Sequence, residues 1–143
     1  MEDLVRGVIE SYERAFGRAL AGEGSVDEVA ALFASEFVVS SRKSVATGTK
    51  DDFKRGMAQN LDRYRERGLR SKRLKALRVT TIDQVHAVAH VTWTFTYARA
   101  SGADVSIDAD THYLVRAQDG EAKVFGWVFS ADGEAVLREH GVI

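Results

Sequence analysis

Cysteine and proline are both absent from the 143 residues. The first absence removes disulfides, thiolate nucleophiles and thiolate metal ligands together. The second leaves glycines and polar dipeptides to punctuate the chain. No apolar run approaches the ~20 residues of a membrane span, and from Glu2 onward charged and apolar residues alternate where a signal peptide would be uniformly apolar. A cytoplasmic protein with no membrane partner is the expectation. Neither sign of charge dominates: 20 Lys and Arg oppose 21 Asp and Glu, so whole-molecule steering toward nucleic acid is not expected. No Gly-rich phosphate loop follows a strand and no Gly-x-Ser-x-Gly elbow occurs, so nucleotide-binding and hydrolase readings lack their motifs. No stretch rich in Gly, Ser or charge is long enough for a linker, and the length suits one core, so one domain over 1–143 is expected. With 45% hydrophobic and 29% charged residues, disordered and fibrous classes drop out.

What is present is periodic. Leu4, Val5, Val8, Ile9, Tyr12, Phe16, Ala19 and Leu20 recur at helical spacing, and Gly22 and Gly24 close the segment. Ser25 and Glu28 form a capping-box pattern ahead of Val26, Val29, Ala30 and Phe33, a short second helix. Phe37 to Ser40 reads as a short strand. Thr49 and Asp52 make a second cap pair, after which Phe53, Met57, Leu61 and Tyr64 line one side of a third helix ending near Gly68. Beyond Gly68 the period falls to two. Lys72 to Ile82, Val85 to Arg99, Asp104 to Ala117 and Glu121 to Ser130 give four long strands, separated at Asp83-Gln84, at Ala100-Ser101-Gly102-Ala103 and at Asp119-Gly120. Ser130 to Gly141 closes the chain with a turn of helix.

Helices first and an antiparallel meander afterwards define an α+β class with helices gathered on one sheet face. This order, together with the loose pattern Val29-Ala30-Ala31-Leu32-Phe33-Ala34-Ser35-Glu36-Phe37-Val38-Val39, resembles the nuclear transport factor 2-like superfamily. That superfamily includes ketosteroid isomerases, SnoaL-like polyketide cyclases and scytalone dehydratase. The resemblance spans essentially the whole chain. It implies a cystatin-like fold, in which a cone-shaped curved antiparallel sheet packs on three N-terminal helices. It also implies an interior cavity for a small apolar or aromatic ligand, and a homodimer through the outer sheet face.

Val105 to Val115 is the most informative segment. Alternation puts Asp108, Asp110 and His112 on one face and Val105, Ile107, Ala109 and Tyr113 on the other. Either the polar trio faces solvent, as on most half-wet strands, or it faces the interior. A two-residue type I′ turn at Asp119-Gly120 sets Gln118 opposite Glu121, and His112 then opposes Trp127, Asp110 Phe129 and Leu114 Phe125. Pairing Arg99 with Asp104 around a four-residue loop sets His112 against Val91, Asp110 against Trp93 and Asp108 against Phe95. Both turns embed the trio among aromatics too extensive to leave in water, whereas a three-residue loop at Gly120 would reverse the answer. The inward reading makes His112 and Asp110 the expected catalytic pair for general acid-base work or carbonyl polarisation. A self-satisfying structural network is the alternative.

Around them Tyr12, Phe16, Ser41, Met57, Trp93, Phe95, Asp108 and Trp127 are the expected ligand-binding residues. In the resemblance, His112 matches the oxyanion-binding acid of ketosteroid isomerases and Tyr12 their helix-one tyrosine, although Tyr12 also fits as a core residue. Where those enzymes carry a proton-shuttling aspartate this chain has Ser40-Ser41, so the isomerase activity itself is not carried over. His86 and His90 lie too far apart on a strand to share one ion. No metal and no cofactor are expected. The basic run Arg63, Arg65, Arg67, Arg70, Lys72, Arg73, Lys75 and Arg78 reads as a solvated helix end compensating the helix dipole, or as a site for an anionic ligand. The two functional classes left standing are a small isomerase, cyclase or dehydratase, and a non-enzymatic ligand-binding or dimerising module.

Overall fold

The computed structural model describes residues 1–99 and 102–143. Helix α1 (Glu2–Leu20) buries Val5, Val8, Ile9, Tyr12, Phe16 and Ala19 along one stripe, as the periodicity predicts. Helix α2 (Val26–Ala30) starts where Ser25 Oγ accepts from the Glu28 amide. Strands β1 (Phe33–Ser40) and β2 (Val45–Thr49) follow, and β2 runs directly into α3 (Lys50–Glu66). The reciprocal Thr49–Asp52 capping box expected there is formed. Strands β3 (Leu69–Thr81), β4 (His86–Tyr97), β5 (Val105–Gln118) and β6 (Glu121–Phe129) form the meander, and α4 (Gly133–Glu139) closes the chain.

The six strands make a single curved, unclosed sheet in the order β2-β1-β6-β5-β4-β3. All neighbours are antiparallel except β1 and β6, which run in parallel. The sequence reading anticipates β1 only from Phe37 and contains no β2. The helices pack on the inner face, which is lined by Ala87, Ala89, Val91 and Trp93 from β4 and by Ile107, Thr111, Tyr113 and Val115 from β5. Long basic side chains tie the helices together. Lys50 Nζ donates to Ala30 O (2.8 Å) and Phe33 O (2.6 Å), while Arg65 donates to Ala19 O (2.6 Å) and Leu20 O (3.1 Å). The Ala30, Ala19 and Leu20 carbonyls lie at helix C-termini, where cationic donors are favourable. No helix among the described residues is long and apolar enough to cross a membrane.

Two registers differ from expectation, and both differences turn the same side chains outward. The type I′ turn is present, with Asp119 and Gly120 at φ 56 and 75, and Gln118 opposes Glu121. That register holds as far as Val115 and Val124, where Phe125 is inserted as a bulge and Leu114 comes opposite Gly126. His112 therefore meets Val128, and Trp127 meets Tyr113. A one-residue insertion exchanges the faces of everything beyond it. In the β4–β5 hairpin Tyr97, not Arg99, is the last paired residue and opposes Val105, while Arg99 Nε donates to Ala103 O. Ala100 and Ser101 of the expected loop lie outside the described residues. His112 consequently opposes His90, Asp110 opposes Thr92 and Asp108 opposes Thr94.

Candidate functional site

Asp108, Asp110 and His112 point to the outer sheet face, which corrects the inward placement. There they complete a ladder of cross-strand polar pairs. Thr94 Oγ1 donates to Asp108 (2.8 Å), Thr92 Oγ1 donates to Asp110 (2.7 Å), and the Nδ1 atoms of His90 and His112 share a hydrogen bond of 2.9 Å. His112 Nε2 bonds to Ser130 Oγ at 2.9 Å and His90 Nε2 to Thr80 Oγ1 at 3.0 Å. The Lys75 ammonium, the Thr94 hydroxyl and the charge of Lys75 hold the Asp108 carboxyl below the ordinary carboxylate range. Burial, Arg78 and His112 together lower the basicity of His90. Asp110 reaches the margin of the interior cavity, but its carboxylate is engaged with Thr92.

The interior of the cone is hollow. A cavity of about 560 Å³ lies between α1, α3, α4 and the inner sheet face, within the range of small-molecule sites. Aromatic rings form much of its apolar wall, beside several polar and charged side chains. Trp127 stacks on Phe37 at 5.2 Å and meets Phe33 edge-on at 5.3 Å, and Tyr64 stacks on Phe95 at 6.2 Å. Exposed polar side chains from Arg42, Lys43, Asn60 and Arg63 mark the open side. Ion pairs Arg67–Glu134 (3.3 Å) and Lys43–Asp132 (3.4 Å) fasten α4 beside it. Of the residues expected from the sequence to contact a ligand, Tyr12, Phe16, Ser41, Met57, Phe95 and Trp127 line this cavity. Trp93 lies behind the wall, fully buried, with Nε1 donating to the Tyr113 hydroxyl at 2.9 Å. Asp108 and His112 take no part in the lining.

One residue of the basic run does not join the surface. Lys72 is buried on β3 and its Nζ lies 2.8 Å from the Tyr12 hydroxyl, to which it donates. The nitrogen sits over four rings, 4.7 Å from the centroids of Tyr12 and Phe16, 4.9 Å from Trp93 and 5.4 Å from Phe95. The hydrogen bond and the cation–π contacts favour the ammonium, but Lys72 has no ion-pair partner among the described residues, and burial pulls its pKa from 10.5 down to about 7. Tyr12 shifts the other way. Burial first, then the neighbouring Tyr113 and Tyr64 hydroxyls, push it well above its ordinary value. Burial also raises Tyr113. Near pH 7 the cavity thus holds an amine that is about half protonated beside two phenols that keep their protons.

Lys72 faces inward because β3 carries two bulges. Pairing with β4 slips by one residue between Leu69 and Ser71 and again between Leu74 and Ala76. The stretch between the slips is rotated relative to both ends, which puts Lys72 and Leu74 on the inner face with Leu69, Leu77 and Val79. Glu13 of α1 secures the second slip, accepting from the Leu74 amide at 2.6 Å and pairing with Arg73 at 3.5 Å. The rest of the run is engaged at the surface, Arg70 with Asp104 and Lys75 with Asp108 among others. The sequence reading missed Lys72 because it treated the run as one charged stretch. Its signal is the parity of the apolar residues, which changes from Leu69 to Leu74 and changes back at Leu77.

The family model for the NTF2-like protein (DUF6841) matches residues 2–132. The chain belongs to this NTF2-like family. No match was found among curated proteins. Solved structures similar to it include an NTF2-like protein with a cystatin-like fold from Novosphingobium aromaticivorans, at 15% identity and TM-score 0.71, covering 96% of this chain and 86% of that one. A ketosteroid isomerase-like protein from Erwinia carotovora atroseptica shares 16% identity at TM-score 0.64, covering 90% and 93%. The protein Aln2 from a Streptomyces species shares 17% identity at TM-score 0.70, covering 97% of each chain. At these identities the likeness is one of fold, and chemistry has to be argued from the residues of the NTF2-like cavity itself.

Proposed function

We propose that the cavity binds a small, largely apolar or aromatic molecule through one carbonyl or enol oxygen, and that Tyr12 and Lys72 move a proton at that oxygen or beside it. The supporting observation is a buried polar pair, the Lys72 amine with the Tyr12 hydroxyl, set among the aromatic rings of a cavity large enough for such a ligand. An oxygen docked there would receive hydrogen bonds from a phenol and an amine in a dry site, where such donors stabilise developing negative charge most strongly. Lys72, poised near pH 7, has the proton affinity that general acid-base catalysis favours. Isomerisations, cyclisations and dehydrations that break a C–H bond beside a carbonyl share this enolisation step. The acid-base role expected of His112 and Asp110 thereby passes to the inner face.

The test compares 2-acetylnaphthalene with naphthalene by quenching of Trp127 fluorescence, with Trp127→Phe assigning the signal. The ketone is expected to bind about tenfold more tightly, from one charge-assisted hydrogen bond, and Tyr12→Phe or Lys72→Met to abolish the preference. Equal affinity for both compounds would reject an oxygen-anchoring site. Exchange of the ketone's methyl hydrogens with deuterium, followed by NMR, separates the two functional classes. Accelerated exchange supports an enzyme, and tight binding without exchange supports a ligand-binding module.

A further inference from the structure

The Lys72 amine has a second capability that proton transfer does not use. We infer that Lys72 is a covalent site for apolar aldehydes and ketones, its Nζ forming an imine with a carbonyl group bound in the cavity. This rests on the ligand-binding reading above and adds a bond to it. Three features of the structure converge on the nitrogen. Lys72 lines the cavity, so a ligand carbonyl can reach it. It has no carboxylate partner among the described residues, so no counter-charge opposes the burial that favours its neutral form. The Tyr12 hydroxyl stands 2.8 Å away, placed to relay the protons that imine formation must move.

The step balances without any further reagent. The lone pair of the neutral amine attacks the carbonyl carbon, and the C=O π pair moves to oxygen, giving a carbinolamine after one proton passes from nitrogen to oxygen. The second nitrogen proton then moves to the same oxygen through Tyr12, the C–O bond breaks, and water leaves as the C=N bond forms. Tyr12 ends the step with the proton it began with. Nothing is oxidised or reduced. Burial favours the neutral form of an amine, which is how nucleophilic lysines are prepared in proteins. The aromatic walls select an aryl or polycyclic carbonyl compound over a polar sugar aldehyde.

The experiment incubates the intact protein with 2-naphthaldehyde and sodium cyanoborohydride, which reduces an imine to a stable secondary amine, and locates the label by peptide mass mapping. Label is expected on Lys72 in preference to the exposed Lys43 and Lys75. Its yield is expected to rise through pH 7, where surface lysines remain charged. Lys72→Arg should lose that label, and Tyr12→Phe should slow it about tenfold while leaving surface labelling unchanged. Quenching of Trp127 by the same aldehyde reports occupancy independently. Quenching with label only on surface lysines overturns the imine while leaving the ligand-binding reading intact. Absence of quenching overturns both.

Discussion

Lys72 and Tyr12 divide the work of the cavity by opposite responses to one environment. Burial disfavours whichever form is charged, so it lowers the lysine and raises the tyrosine, and the pair holds both a base and an acid near neutral pH. On the other sheet face Asp108 and His112 are members of a hydrogen-bonded ladder outside the cavity. His112→Gln and Asp108→Asn are therefore expected to change affinity for 2-acetylnaphthalene by less than about twofold, since neither touches the ligand and surface changes of this kind act weakly. The Trp127 titration measures it. A tenfold loss in either variant would show that the outer face governs the cavity. Tyr12→Phe should also reduce stability by about 1 kcal/mol, the usual value of one hydrogen bond, through the loss of the Lys72 partner.

Strands set which residues meet, and here they do so through insertions. Most of the fold was legible because hydrophobic periodicity is a local signal: the three N-terminal helices, the Ser25 and Thr49 caps of the second and third, the four long strands and the turn at Asp119-Gly120 all follow from neighbouring residues, although Phe33, expected on the second helix, opens β1. The site was not, because its orientation depends on the Phe125 bulge in β6 and the two slips in β3, none of which has a turn dipeptide to announce it. Counting from a correctly placed turn then carries the wrong face forward. Gly126, beside the Phe125 bulge, provides a test. A Cβ there would lie 2.8 Å from Val38 Cγ1, 3.0 Å from the Val38 carbonyl oxygen and 3.1 Å from Leu114 Cδ1. Backbone as well as side chain would have to yield, so Gly126→Ala is expected to destabilise the protein by about 1–3 kcal/mol, typical of overpacking. Urea unfolding reads this directly, and an unchanged midpoint would mean that β1 and β6 are less closely joined than the structure shows.

At the scale of the whole molecule, a buried lysine makes folding stability depend on pH in an unusual direction. Lys72 titrates at about 7 when folded against 10.5 when exposed, so between these values the unfolded chain binds more protons and stability rises with pH. From pH 7 to 9.5 the rise from this residue amounts to at most about 3 kcal/mol. Above pH 10 the sign reverses. Tyr12, Tyr64, Tyr113 and Tyr97, the last pushed up to about 12, keep their protons in the fold while the unfolded chain loses them, and stability falls. Urea midpoints measured from pH 6 to 11 should thus pass through a maximum near pH 9.5 to 10. Lys72→Met, similar in volume and without a charge to bury, is expected to be more stable than the natural protein at pH 7 and to lack the rise. A natural protein whose midpoint stays level from pH 7 to 9.5 would mean that Lys72 keeps its charge in the fold, and that the four surrounding rings and the Tyr12 hydroxyl hold it more firmly than burial repels it.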